Sequence, residues 1–108
     1  MSFVIIARDK GDGTLRRRNR AAHLDYVATR QDLIIYAGPL IEEGRMIGSL
    51  FIFDLDTREA VDAYCAADPY FTAPIFESIE IYESRWMVPE RCPGSLTEEA
   101  EKARADAV

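Results

Sequence analysis

Met46-Ile47-Gly48-Ser49-Leu50-Phe51-Ile52-Phe53 is the stretch on which the reading of the fold turns. Successive side chains of a β-strand point to opposite faces, so Ile47, Ser49, Phe51 and Phe53 share one face and Leu50 and Ile52 the other. A strand with one wet face alternates apolar with polar, whereas this one is apolar on both sides and needs cover on both. Upstream, Leu33 to Ile41 reads as a second strand, and Glu42-Glu43-Gly44-Arg45 is a turn that joins the two as a hairpin. Gly38-Pro39 interrupts that strand and argues for a bulge or an edge position. Further upstream, Phe3-Val4-Ile5-Ile6-Ala7 is a β-branched run that reads as another strand. Lys10-Gly11-Asp12-Gly13 is a turn, after which Thr14 can cap a helix reaching about Gln31. Ala21, Leu24, Val27 and Ala28 share a face of that helix. Downstream, Asp56 or Thr57 caps a second helix that buries Val61, Tyr64 and Cys65 and ends near Ala67. Asp68-Pro69-Tyr70 breaks it, and Phe76 to Tyr82 alternates as a fourth strand.

The order strand, helix, strand, strand, helix, strand is the split βαβ pattern. It predicts an α+β, ferredoxin-like βαββαβ fold: a four-stranded antiparallel sheet with two helices on one face. Two helices leave the other face bare. A second copy of the chain is the economical cover for it, so a homodimer with facing sheets is expected. From Pro89 the character changes. Pro89, Pro93 and Gly94 break regular structure, and Ser95-Leu96-Thr97-Glu98 reads as a capping box before an Ala/Glu-rich helix. The expected division is a domain over 1–88 and a helical tail over 89–108.

The chain has 108 residues, 13 of them basic and 19 acidic, for a net charge of −6. This is the balance of one soluble globular domain. An acidic domain lacks the cationic face that nucleic acid requires, and no nucleic-acid partner is expected. The longest apolar runs, Phe3–Ala7 and Leu50–Phe53, fall far short of the roughly 20 residues that span a bilayer. With no membrane helix and no secretion signal, a cytoplasmic protein is expected. Cys65 and Cys92 are one pair, not a disulfide framework. No metal-ligand spacing occurs, and Gly11-Asp12-Gly13 lacks the third glycine of a nucleotide fingerprint. Neither metal nor cofactor is expected.

His23 is the single histidine. Arg16, Arg20, His23 and Val27 follow at spacings of four, three and four, one ridge of the first helix. A histidine at the border of an apolar face is commonly a packed structural residue. Two arginines on the same ridge favour a neutral imidazole, as a general base requires, and can hold an anion beside it. Arg17 falls near the apolar face, where it would snorkel. Asp68 is misplaced at a helix C-terminus. It can cap the next turn, with Pro69 at the first position, or it can orient His23 as an acid does in a His-based catalytic pair. Gly38 and Pro39 are positions where backbone can approach a ligand. Ser49 is a small polar residue in an apolar strand; it can line a pocket, or with Gly48 merely make room for a helix.

Taken together, Arg16 to Arg20 with His23-Leu24-x-Tyr26, then Ala37-Gly38-Pro39-Leu40, Ile47-Gly48-Ser49-Leu50 and Ala67-Asp68-Pro69-Tyr70 resemble the YciI-like (YCII-related) family over about Met1 to Val88. The resemblance implies a ferredoxin-like fold of the dimeric α/β-barrel group, small cytoplasmic bacterial proteins, and an active site built on a His–Asp pair. That pair falls on His23 and Asp68, with Gly38, Pro39, Gly48, Ser49 and Tyr70 at neighbouring family positions. The tail inherits nothing. Two functions follow as expectations. One is a small cofactor-independent enzyme, with His23 as general acid/base, Asp68 as its partner and Arg16 or Arg20 anchoring a small anionic or aromatic substrate. The other is a non-catalytic domain that binds a small molecule in the same pocket.

Overall fold

The computed structural model describes residues Met1 to Val108. Strand β3, Arg45–Phe53, lies inside a four-stranded sheet of order β2-β3-β1-β4, with β1 spanning Ser2–Asp9, β2 Ile34–Glu42 and β4 Phe76–Ser84. All neighbouring strands are antiparallel. Helices α1 (Thr14–Ala28) and α2 (Arg58–Ala67), a single turn α3 (Pro69–Thr72) and the C-terminal α4 (Ser95–Asp106) complete the chain. This is the ferredoxin-like α+β fold. The core forms where Phe3, Ile5 and Ala7 of β1 and Phe51 and Phe53 of β3 meet Val61 and Tyr64 of α2.

The hairpin between β2 and β3 closes on Glu43 and Gly44, both at positive φ (50° and 75°), the twist that two-residue hairpin turns require. Gly38 and Pro39 lie within β2, which is an edge strand, so the missing proline N–H costs no ladder bond. Gly48 is required by close approach: a Cβ there would sit 2.2 Å from the Ala7 carbonyl oxygen.

The sheet's other face carries a continuous row. Tyr36 pairs with Ile52, Ile52 with Val4, and Val4 with Tyr82; Ile6 pairs with Leu50 alongside. Tyr36 and Tyr82 are 54% and 52% exposed. The segment after β4 crosses this face with Trp86 and leaves a groove of about 420 Å³ over Val4 and Ile52. No helix is long and apolar enough to cross a membrane.

Local expectations for the first and last helices are corrected. Thr14 does not cap α1: Gly13 holds the cap position in the left-handed region, and the Asp12 carboxylate accepts from the Thr14 N–H at 3.0 Å. The helix ends at Ala28, not Gln31, where the Thr29 hydroxyl donates to the Tyr26 carbonyl and competes with the next turn. Its inward face is also not the apolar one. Arg16 and His23 are buried, while Ala21 and Ala28 are exposed and Leu24 is 48% exposed. Arg17 points outward, bonded to Asp12 and Thr14 near its own turn. The Ser95–Glu98 capping box does not form either. Gly94 takes the cap position, and the Leu96 N–H is satisfied instead by Glu90, at 2.8 Å.

Candidate functional site

Asp68 stands between two helices, ending α2 and starting α3. Its Oδ1 accepts from the Tyr70 N–H at 2.9 Å, as an N-cap should, with Pro69 at the first helical position. The same oxygen lies 2.8 Å from His23 Nδ1. The two sequence readings of Asp68, cap and histidine partner, are therefore met by one atom. An ionised carboxylate only accepts, so Nδ1 carries the hydrogen and Nε2 is the nitrogen left free in a neutral ring. Nε2 has no hydrogen-bond partner in the chain, whereas Asp68 is fully buried.

Tyr70 and Arg16 hold the ring in place. The Tyr70 ring stacks on His23 with centroids 3.7 Å apart and planes 3° from parallel. The Arg16 guanidinium lies against Tyr70, its Cζ 4.7 Å from the ring centroid. Arg16 is 3% exposed, and its charge is balanced by a bidentate pair with Asp9, at 2.6 and 2.8 Å. Its Nη2 also donates to Ser49 Oγ at 2.8 Å, tying α1 to β3. Asp68 Oδ2 and the hydroxyls of Tyr64 and Tyr70 are buried with no hydrogen-bond partner. Burial, and after it the Asp68 carboxylate, pushes the Tyr64 phenol above its ordinary range. Burial, then Asp68 and Asp62, pushes the Cys65 thiol up to about 12, so it carries no thiolate nucleophile at neutral pH.

In front of His23 is a cavity of about 200 Å³. Arg16, Arg20, Gly38, Pro39, Ser49 and Tyr70, the positions singled out in the sequence, all line it, and Asp68 sits behind the imidazole. Sequence reasoning missed Phe51, which forms part of the wall, and Asp9, which neutralises Arg16. Phe51 reads simply as core. The only signal for Asp9 was a buried arginine that would need a counter-ion, and its partner could not be named before the strand–turn–helix geometry was known. No three His, Cys, Asp or Glu side chains gather as a cation site.

A ferredoxin-like sheet roofed by helices, with a buried His–Asp contact opening on a small cavity, defines a class of compact α+β domains. The YCII-related domain matches residues 1–85, and the chain belongs to that family. It is 32% identical over 95 residues to Protein YciI of Escherichia coli O6:H1, an alignment covering 75% of this chain and 93% of that protein. It is also similar to the solved structure of 5-chloro-2-hydroxyhydroquinone dehydrochlorinase (TftG) from Burkholderia phenoliruptrix AC1100 in complex with 2,5-dihydroxybenzoquinone. That likeness has a TM-score of 0.71 at 28% identity, over 81% of this chain and 94% of that one. An antibiotic biosynthesis monooxygenase, with a TM-score of 0.50 at 17% identity over 80% of this chain and all of that one, shares the fold.

Proposed function

We propose that the protein is a small acid–base enzyme in which His23 moves a proton to or from a bound substrate and Asp68 orients it. The observation that carries this reading is the 2.8 Å contact between His23 Nδ1 and the buried Asp68, with the histidine facing a cavity of about 200 Å³. Nε2 takes the substrate proton, and the imidazolium so formed is stabilised by the carboxylate at Nδ1. Arg20, on the cavity wall and free of any carboxylate, anchors an acidic or phenolic group. Arg16, already paired with Asp9, fixes the wall and the Tyr70 ring. Gly38, Pro39 and Ser49 leave room for a flat substrate. Proton abstraction, elimination and hydrolysis are the reactions this set of residues serves. The likeness to TftG supports a hydroxylated aromatic ring as the substrate class. The working form in this proposal is a homodimer joined through the open sheet face, because Tyr36 and Tyr82, at the two ends of that row, stay more than half exposed in one chain.

One observation favours a second reading, a non-catalytic binding domain: His23 is only 8% exposed and is already stacked on Tyr70. Binding and turnover of 2,5-dihydroxybenzoquinone and 5-chloro-2-hydroxyhydroquinone by wild type, His23→Asn and Asp68→Asn separate the two. The acid–base reading expects turnover to fall at least about 100-fold in His23→Asn with ring binding retained. Ring binding by wild type with no turnover would favour the binding domain.

A further inference from the structure

Beside the His23 cavity lies a second cleft of about 280 Å³, which shares Arg16 and Arg20 with it and adds Arg17 and Arg45. Arg16 and Arg20 reach both from α1, and Arg45 enters from the first residue of β3. Of the four guanidiniums, only that of Arg16 is paired with a carboxylate. Arg17 donates to neutral oxygens, the Asp12 carbonyl at 3.4 Å and Thr14 Oγ1 at 3.2 Å. Arg20 makes its one side-chain hydrogen bond to Met46 Sδ, at 3.5 Å. Arg45 forms no ion pair, although Glu42 is its neighbour across the hairpin. The one acid lining the cleft is Asp12, whose charged form is favoured by its hydrogen bonds from Thr14. Three unpaired cations against one carboxylate, in a chain of net charge −6, make a local positive potential that runs against the whole.

We propose that this cleft binds the phosphate or diphosphate group of a substrate whose reacting end sits at His23. The second half of that statement rests on the acid–base reading above. The geometry favours phosphorus oxyanions over carboxylates. A carboxylate offers two oxygens in one plane and is satisfied by a single guanidinium fork, as Asp9 is by Arg16. Guanidiniums arriving from a helix and from a hairpin match a group whose oxygens point in several directions. Because Arg20 lines both spaces, the anion would be held one side chain from the imidazole.

Calorimetric titration of the intact protein with inorganic pyrophosphate, with malonate in a parallel arm, tests the proposal. Pyrophosphate should bind, and more weakly as salt is raised. Arg17→Ala and Arg45→Ala should each weaken it at least about tenfold, the scale of losing a charged hydrogen bond. Both residues are exposed, so the thermal melt should not move. His23→Asn should bind pyrophosphate as wild type does. No binding at millimolar pyrophosphate, binding indifferent to both arginine variants, or malonate binding as tightly as pyrophosphate would each overturn the proposal. If pyrophosphate behaves as expected but His23→Asn keeps full turnover, the acid–base reading fails and the anion cleft stands.

Discussion

Asp68 Oδ1 serves a helix start and an imidazole at once, so its substitutions mix stability with site geometry. Asp68→Asn retains a carbonyl oxygen for the Tyr70 N–H and is the gentler probe; Asp68→Ala removes the cap as well, worth typically about 1 kcal/mol. A cleaner residue-scale prediction belongs to Gly48. An added methyl would meet the Ala7 carbonyl oxygen at 2.2 Å, in the backbone of the central strand pair. That backbone cannot swing aside as a flexible side chain would. Gly48→Ala should therefore destabilise the fold by about 1–3 kcal/mol, the usual cost of overpacking. Chemical denaturation measures it, and an unchanged midpoint would mean that β1 and β3 separate more easily than their register implies.

Helix α1 is held by polar anchors. Arg16 to Asp9 and Ser49, and His23 to Asp68, tie its inner face to β1, β3 and the α2–α3 junction. Apolar help comes from the partly buried Tyr26, whose hydroxyl donates to the Tyr64 carbonyl at 2.8 Å. Helix α4 is the opposite case. It buries no residue, and the tail reaches the rest of the chain through surface contacts: Arg85–Glu99 at 3.8 Å, Arg91–Asp54 at 3.4 Å, Arg91 over the Trp86 ring, and the Trp86 indole N–H donating to the Pro89 carbonyl at 2.7 Å. Exposed ion pairs of this kind contribute about 0–1 kcal/mol each. Removal of 89–108 should leave a cooperative melt with only a small loss of stability, read by circular dichroism. An insoluble or non-cooperative product would show that the tail is part of the core.

For the whole molecule, the proposed homodimer makes opposite demands on two adjacent residues. Leu50 is on the open face, paired with Ile6, whereas Phe51 is 1% exposed in the core beneath the helices. Leu50→Lys should leave a folded monomer, because the charge can reach water once the sheets part. Phe51→Lys should fail to fold, since a lysine there has neither solvent nor partner. Size exclusion with light scattering, alongside circular dichroism, distinguishes the outcomes. A monomeric wild type at micromolar concentration would end the dimer proposal.

The element order was legible because each element is punctuated locally. The β-branched runs, the Glu43-Gly44 turn, the Thr57 cap and the Asp68-Pro69 break are short-range signals, and strand ends fall within a residue or two of the reading. His23 and Asp68 could be singled out by chemistry: a lone histidine, and an acid at the wrong end of a helix. Their 2.8 Å contact could not, because it joins residues 45 apart through two helices whose packing the sheet dictates. The same limit explains the inward face of α1. A helical wheel turns apolar residues toward the core by default. Here the buried positions are polar because Asp9, Ser49 and Asp68 wait on other elements to satisfy them, and burying a polar group is tolerable only when such partners exist. Local order follows from residues near in sequence; the candidate site comes from partners that only the tertiary fold supplies.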